Sequence, residues 1–515
     1  MKILLTTLNS RYVHSNLALK YLYAAGLPNC PGLEIREFTI NNEDDYIYTE
    51  LVRNEYDVVC FSCYIWNIEK TKYLCENLKK AKPEIRIVCG GPEVSYDTES
   101  FMSENPAVDA VIFGEGEYAF SMLCRALTKG TPKFPDIKGL AYRAGGRIIV
   151  NDPMPPVKFS SLPFPYEVLP AEEDKIVYYE SSRGCPYNCS YCISSIDRTV
   201  RALPAERVKD ELSYFIHKRV KQVKFIDRTF NWDRNRCIEI LEYLVLMDNG
   251  VTNFHFELCG DLIDDRLIQL AGSARAGLFQ FEIGIQTTNP LTLRAINRRS
   301  EIEKCLKNIR KLSRLGVAHV HVDLITGLPF EDMNSLRTSF NNIYPVGADC
   351  IQVGFLKMLK GTAVRYHEEF YNYIYRSKAP YEVISNSFMT SREVVRVKQL
   401  ENVLDLFYNK GGFEFTLNYL IGKSEMTPFD FYTELSDYYY IKGYQHRSHS
   451  KEDQYRILYG YAMWKCRHSG VDREEAIRYL EQDMKLRLNE DAVRKFMKKG
   501  WEFPQEKRWQ ENIRI

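Results

Sequence analysis

Three cysteines fall within eight residues, at Cys185, Cys189 and Cys192, in the stretch RGCPYNCSYC. Gaps of three residues and then two put three thiols on one short loop. Thiolates are soft ligands, and crowding of this kind in a chain without secretory features points to a metal rather than to disulfides. A closed zinc site wants four Cys or His ligands, often as two separated pairs. No C-x-x-C pair follows this one, and the nearest downstream histidine, His217, falls in a helix-like run. Three thiolates also suit an iron–sulfur cluster with one iron left open. Other cysteines, such as Cys60, Cys89, Cys259 and Cys350, sit in or beside apolar strand-like runs and read as buried reduced thiols.

Such a loop needs a frame. From 173 to about 370, six apolar runs read as strands: KIVYYES, QVKFIDRTF, NFHFELCG, LFQFEIGIQ, AHVHVDLITGLP and DCIQVGFLK. Amphipathic helices such as EIEKCLKNIRKLSRLG separate them. Six βα units predict a partial (β/α)6 barrel, and the cysteines follow its first strand, at the end where barrels place their chemistry.

Residues 1–150 alternate in the same way. KILLTTLN, YDVVCFSCY, IRIVCGGPE and DAVIFGEGE read as strands, and glycines cluster at their C-terminal ends. That pattern predicts a doubly wound parallel sheet with a ligand at those ends. Six prolines in 151–172 mark an extended connector. Residues 371–515 read as mostly helical, with capping signals at Thr390 and Glu393 and at Asp472 and Glu475. The fold class is α/β.

Composition narrows the function. A net charge of +1 supplies no field for nucleic acid or anionic membrane. No apolar run approaches the roughly 18 residues of a membrane span. The N-terminus runs straight into a strand pattern, and the expected setting is cytoplasmic. The segment AVRKFMKKGWEFPQEKRWQENIRI interleaves basic and aromatic residues, a pattern that can bind single-stranded RNA. Nucleic acid is not the favoured partner, and the segment reads chiefly as a helix face docking Trp501 and Trp509 on the protein. The tyrosine-rich run DFYTELSDYYYIKGYQH either lines a substrate entrance or simply packs, and its place after an all-helical segment suggests a lid over the barrel mouth.

The cysteine stretch, with Tyr191 as the aromatic residue before the third cysteine, resembles the signature of radical S-adenosylmethionine enzymes. The resemblance covers about 173–370. It implies a [4Fe-4S] cluster held by Cys185, Cys189 and Cys192, with the open iron chelating S-adenosylmethionine. One electron, from a donor such as flavodoxin or ferredoxin, then releases a 5′-deoxyadenosyl radical. It further implies contacts to S-adenosylmethionine from Tyr191, Asp227, Glu257, Glu282 and Gln286. Arg298 would pair with its carboxylate, and the backbone at Gly327 and Leu328 would approach adenine.

The N-terminal region is similar to a flavodoxin-like cobalamin-binding domain. A dinucleotide-binding domain would carry G-x-G-x-x-G after its first strand, and here that loop, LNSRYVHSN, has no glycine. Ser62 with Tyr64, Gly90 with Gly91 and Glu93, and Gly114, Glu115 and Gly116 match the cobalamin-binding elements. Asn9, Arg11 and Tyr12 are expected at the wall of the corrin site. His14 lies in the loop that would carry a lower cobalt ligand, without the Asp and Gly of that motif, and is read chiefly as a packing or hydrogen-bonding residue. The order of the two regions implies an anaerobic cobalamin-dependent radical enzyme. Methylation of an unactivated carbon of a small molecule is the leading expectation, and a radical rearrangement, cyclisation or reduction the alternative.

Overall fold

The structure, a computed structural model, describes residues 1–501. Residues 3–150 build a seven-stranded sheet from β1 (Ile3–Asn9), β2 (Leu33–Thr39), β3 (Val58–Ser62), β4 (Arg86–Gly90), β5 (Ala110–Ile112), β6 (Leu140–Ala144) and β7 (Arg147–Val150). Its order is β2-β1-β3-β4-β5-β6-β7. The first five strands run parallel, and β6 and β7 are antiparallel. β1 is buried along its whole length. Its two threonines fit there because their hydroxyls donate to the carbonyls of Arg36 (2.7 Å) and Ser62 (3.0 Å).

Two strand features escaped the sequence pattern. β2, LEIREFT, is an edge strand, and its charges break the apolar run that marks its neighbours. β6 and β7 join through Gly145 and Gly146, both at positive φ, as a tight two-residue hairpin requires. Helices pack both faces and bury two separate apolar layers. The chain's other C-x-x-C, Cys60 and Cys63, is split between these layers, so its thiols do not converge.

The second sheet has six parallel strands: β8 (Val177–Tyr179), then β11 (Gln222–Phe225), β12 (Asn253–Leu258), β13 (Phe279–Gln286), β14 (His319–Thr326) and β15 (Cys350–Phe355), adjacent in that order. Between β8 and β11, the short antiparallel pair β9 (Ser182–Arg183) and β10 (Arg201–Ala202) carries the cysteine loop. Alternation divides every strand. Val223, Phe225, Phe254, Phe256, Phe281, Val322 and Leu324 enter the core under the outer helices. The intervening residues, Lys224, His255, Glu257, Glu282, His321 and Asp323, turn into the lumen of the partial barrel.

After the barrel come a short hairpin, β16 (Ile374–Tyr375) and β17 (Val383–Ser385), and a helical region. Both capping signals are realised: the Thr390 hydroxyl accepts from the Glu393 amide (3.3 Å), and the Asp472 carboxylate accepts from the Glu475 amide (2.9 Å). The tyrosine run does not form a lid. It is helix Pro428–Ile441, which packs on the outer barrel helix Met333–Ile343, with Phe340 ringed by Phe429 and Tyr432. Its aromatics are core residues because the helix lies between two helical layers. Trp501 stacks on Tyr459 (5.2 Å between ring centres); Trp509 lies outside the described residues.

Candidate active site

The cysteine loop is fixed at both ends. Asp227, fully buried, accepts from the Ser181 amide (2.8 Å), the Ser181 hydroxyl (2.6 Å) and the Ser182 hydroxyl (2.6 Å). Its oxygens thereby tether the strand that leads into the loop, beside the contact to S-adenosylmethionine expected of it. Burial pushes its carboxyl upward and the three donors oppose that. The Cys185 amide donates to the Asp197 carbonyl (3.0 Å), and the Cys192 amide to Cys189 (3.1 Å). Gly184 has φ +88°, and a Cβ there would sit 2.3 Å from the Thr199 carbonyl oxygen, so only glycine passes.

Cys185 and Cys189 are buried and Cys192 half-buried. Burial raises the Cys189 thiol, and the Arg298 guanidinium opposes that from 3.7 Å. Arg298 also donates to the Gly284 carbonyl and lies 3.5 Å from the Tyr191 hydroxyl. It is therefore a cation held against the cysteine loop. Among the described residues no three His, Cys, Asp or Glu side chains converge on a single ion. A cubane cluster seats each thiolate on a separate iron and does not require such convergence.

Several buried polar atoms around this loop have no partner: Gln286 Oε1, Arg298 Nε and Thr326 Oγ1. Gln286 itself is held at φ +73°, beside a β-bulge, and folds back over Gly284, where a Cβ would be 2.0 Å from its amide nitrogen. A buried orphan atom is costly unless something polar meets it. Glu257 has no hydrogen-bond partner here, and burial pushes its carboxyl up to about 7 against the Arg228 charge. Burial acts on Glu282 in the same sense, but the His255 hydrogen bond (2.9 Å) and Lys224 (3.2 Å) outweigh it and hold Glu282 at about 2. Glu282 is thus an internal ion-pair partner. His321 Nε2 and Asp323 Oδ1 stand 3.2 Å apart without hydrogen-bond alignment. Gly327 turns at φ +88°, while Leu328 is fully buried in an apolar cluster that also receives Tyr191.

A cavity of about 940 Å³ opens at the C-terminal ends of the first sheet. Asn9, His14, Ser62, Tyr64, Gly90, Gly91, Gly114, Glu115 and Gly116 line it. Gly91, at φ +104°, lies so close to Cys63 that a Cβ would be 2.6 Å from its carbonyl oxygen. Tyr64 stacks on Trp66 with ring centres 4.4 Å apart. The His14 ring nitrogen Nδ1 meets the Tyr178 hydroxyl at 2.7 Å, and burial lowers its pKa, consistent with the hydrogen-bonding role. The opposite wall comes from the barrel: Tyr178, Glu180, Ile226 and Arg228. One space therefore faces both sheets.

Three expected wall residues are elsewhere. Arg11 and Tyr12 lie outside the lining, on a part of the loop that faces solvent, where Lys175 covers the Tyr12 ring (4.7 Å). Glu93 turns away from the cavity and accepts from the Tyr381 hydroxyl. The spacing GGPE could not reveal this, because Tyr381 is 288 residues distant. Sequence reasoning also missed the segment 356–389, which packs against the cysteine loop and the turn after β14. The Val364 amide donates to the Ser190 carbonyl (2.9 Å), and Tyr373 and Asn386 donate to the Gly327 carbonyl (2.9 Å each). Arg183, Arg201 and Arg228 were missed as well, since nothing in their spacing sets them apart.

The B12 binding domain family matches residues 3–123, the radical SAM superfamily residues 179–343, and a protein family of unknown function (DUF4080) residues 369–514. The chain thus pairs a B12 binding domain with a radical SAM domain, and the cofactors of such a pair are a [4Fe-4S] cluster, S-adenosylmethionine and cobalamin. It is 28% identical over 324 residues to the cobalamin-dependent radical SAM methyltransferase TokK of Streptomyces tokunonensis, covering 57% of this chain and 45% of that protein. It is 26% identical over 311 residues to the 2-(S-pantetheinyl)-carbapenam-3-carboxylate methyltransferase of Streptantibioticus cattleyicolor, covering 56% and 45%. The chain thus matches about half the length of these two relatives. The solved cobalamin-dependent radical enzyme OxsB, with aqua-cobalamin and S-adenosylmethionine bound, shares the fold with a TM-score of 0.64 at 16% identity, over 97% of this chain and 83% of that one. Among the described residues no helix is long and apolar enough to cross a membrane.

Proposed function

We propose that this chain is a cobalamin-dependent radical S-adenosylmethionine methyltransferase acting on an unactivated carbon of a small molecule. One observation carries the reading: a single cavity of about 940 Å³ has the glycine loops of the first sheet on one wall and barrel strand ends on the other. A cluster on the cysteine loop with S-adenosylmethionine would supply a radical that removes hydrogen from carbon, and cobalamin in the cavity would supply the methyl group.

The chain's own residues prepare the space. Cys185, Cys189 and Cys192 hold the cluster, with Arg298 placing positive charge beside Cys189. Gln286 Oε1 and the Glu257 carboxyl offer polar groups toward S-adenosylmethionine, since among the described residues neither has a hydrogen-bond partner. Ser62, Gly90, Gly91 and Gly114 let backbone close on cobalamin, and the segment 356–389 braces the cysteine loop through the Val364–Ser190 hydrogen bond. The protein works in the cytoplasm without oxygen, fed by a low-potential donor such as ferredoxin or flavodoxin.

The test is anaerobic reconstitution with iron, sulfide and hydroxocobalamin, followed by product analysis. Methyl transfer yields S-adenosylhomocysteine together with 5′-deoxyadenosine. Deoxyadenosine alone would support radical chemistry without methyl transfer. The triple variant C185A/C189A/C192A loses deoxyadenosine formation; if cleavage survived it, the cluster assignment would be wrong.

A further inference from the structure

Arg183 precedes the cysteine loop by one residue and reaches into the other domain. Its guanidinium meets Glu117 (2.6 Å), Glu180 (3.0 Å) and Glu115 (3.5 Å). Glu115 ends the glycine loop after β5 and Glu117 lies in the first turn of the helix Gly116–Lys129 that follows it, whereas Glu180 follows β8. The rings of Phe159 and Tyr21 lie 4.8 and 5.4 Å from the guanidinium carbon. The Arg183 side chain is only 12% exposed, and Glu117 only 7%. Arg201, on the paired strand, holds the same Glu115 (2.6 Å) and also Asp197 (2.7 Å). The Asp197 carbonyl in turn accepts from the Cys185 amide.

An exposed ion pair would contribute little. This one is enclosed and forked, and losing one partner would strand a buried charge. A planar guanidinium with donors in fixed directions relates three carboxylates geometrically, which an ammonium cannot do. The loop it grips lines the cavity through Glu115 and Gly116, and the strand it stands on leads directly into Gly184 and Cys185.

We infer that Arg183 couples the two cofactor sites: what fills the cavity resets the cysteine loop through the Glu115–Arg183–Glu117 fork. Arg183 is a positioning residue, and this role rests on the proposed placement of cobalamin in that cavity.

The experiment uses the full chain reconstituted with iron and sulfide. Cobalamin uptake is followed by absorbance, and the reduced cluster by electron paramagnetic resonance with and without hydroxocobalamin. The wild type takes up cobalamin and its cluster signal shifts. R183K keeps its iron and, at saturating hydroxocobalamin, still fills the cavity that Arg183 helps to line, but the shift is lost. E117Q, which leaves Arg183 in place, weakens the shift in the same direction and serves if R183K does not fold. A full wild-type shift in R183K would mean that charge alone matters, and would overturn the inference. Absence of the shift in the wild type, or loss of cobalamin uptake in both variants, would overturn it equally. If the wild type took up no cobalamin, the underlying assignment of the cavity would fall instead.

Discussion

At the residue scale, the loop's chemistry depends on neighbours that are not themselves ligands. Gly184→Ala puts a methyl 2.3 Å from the Thr199 oxygen at a φ that disfavours any side chain. The expected outcome is a folded protein with reduced iron per chain, checked by iron analysis after reconstitution. Asp227→Asn separates two roles. Its remaining oxygen can still accept from the Ser181 amide, but the new NH2 group faces the Ser181 and Ser182 hydroxyls, which must turn to accept, and losing those two bonds to a charged acceptor costs about 1–3 kcal/mol. A tether predicts a lower melting temperature and lower iron content; a direct contact to S-adenosylmethionine predicts normal iron and weakened binding of that molecule alone. Glu331 is fully buried, and burial raises its carboxyl to about 7, against hydrogen bonds from Thr287, Ser339 and Ser335. Because the folded pKa lies above the unfolded one, its contribution is favourable below about 4.5 and is lost as pH rises toward 7. E331Q is therefore more stable than wild type at pH 8, by on the order of 3 kcal/mol, and the gap shrinks at pH 5, as thermal unfolding at the two pH values would record.

At the element scale, the segment 356–389 ties together parts the sequence leaves far apart. It bonds to the cysteine loop at Ser190, to the turn after β14 at Gly327 and to the first domain at Glu93. Gly361 lies so close to the Tyr96 ring (2.6 Å from a built Cβ) that the two domains touch there as well. Tyr381→Phe removes the donor to a buried carboxylate, with a cost of about 1–3 kcal/mol. The expected result is faster proteolysis within 356–389 at unchanged helical content, read by limited digestion and circular dichroism.

At the scale of the whole molecule, two sheets of independent register share one cavity, and neither completes it alone. A ligand seated there contacts both, so it stabilises the folded chain by mass action. Hydroxocobalamin at a hundred times its dissociation constant adds about 2.7 kcal/mol, seen as a rise in melting temperature that saturates with concentration. Gly91→Ala, which drives a Cβ to 2.6 Å from the Cys63 oxygen, abolishes that rise.

What the sequence by itself determined is what short range controls. The cysteine spacing, the glycines at strand ends and the alternation of apolar runs are local, and they specified the loop chemistry, the parallel sheets and the barrel. Edge strand β2 and the β6–β7 hairpin escaped, because charges and a Gly-Gly turn carry no apolar period. Only the tertiary structure decided which side chains face which. Asp227 and Arg298 became supports of the cysteine loop, Glu93 a partner of Tyr381, and the tyrosine-rich helix a core element instead of a lid. The physical reason is that a buried charge takes whichever partner the fold brings within about 3 Å, and the separations of 46 residues for Asp227 and 288 for Glu93 leave no trace in local pattern.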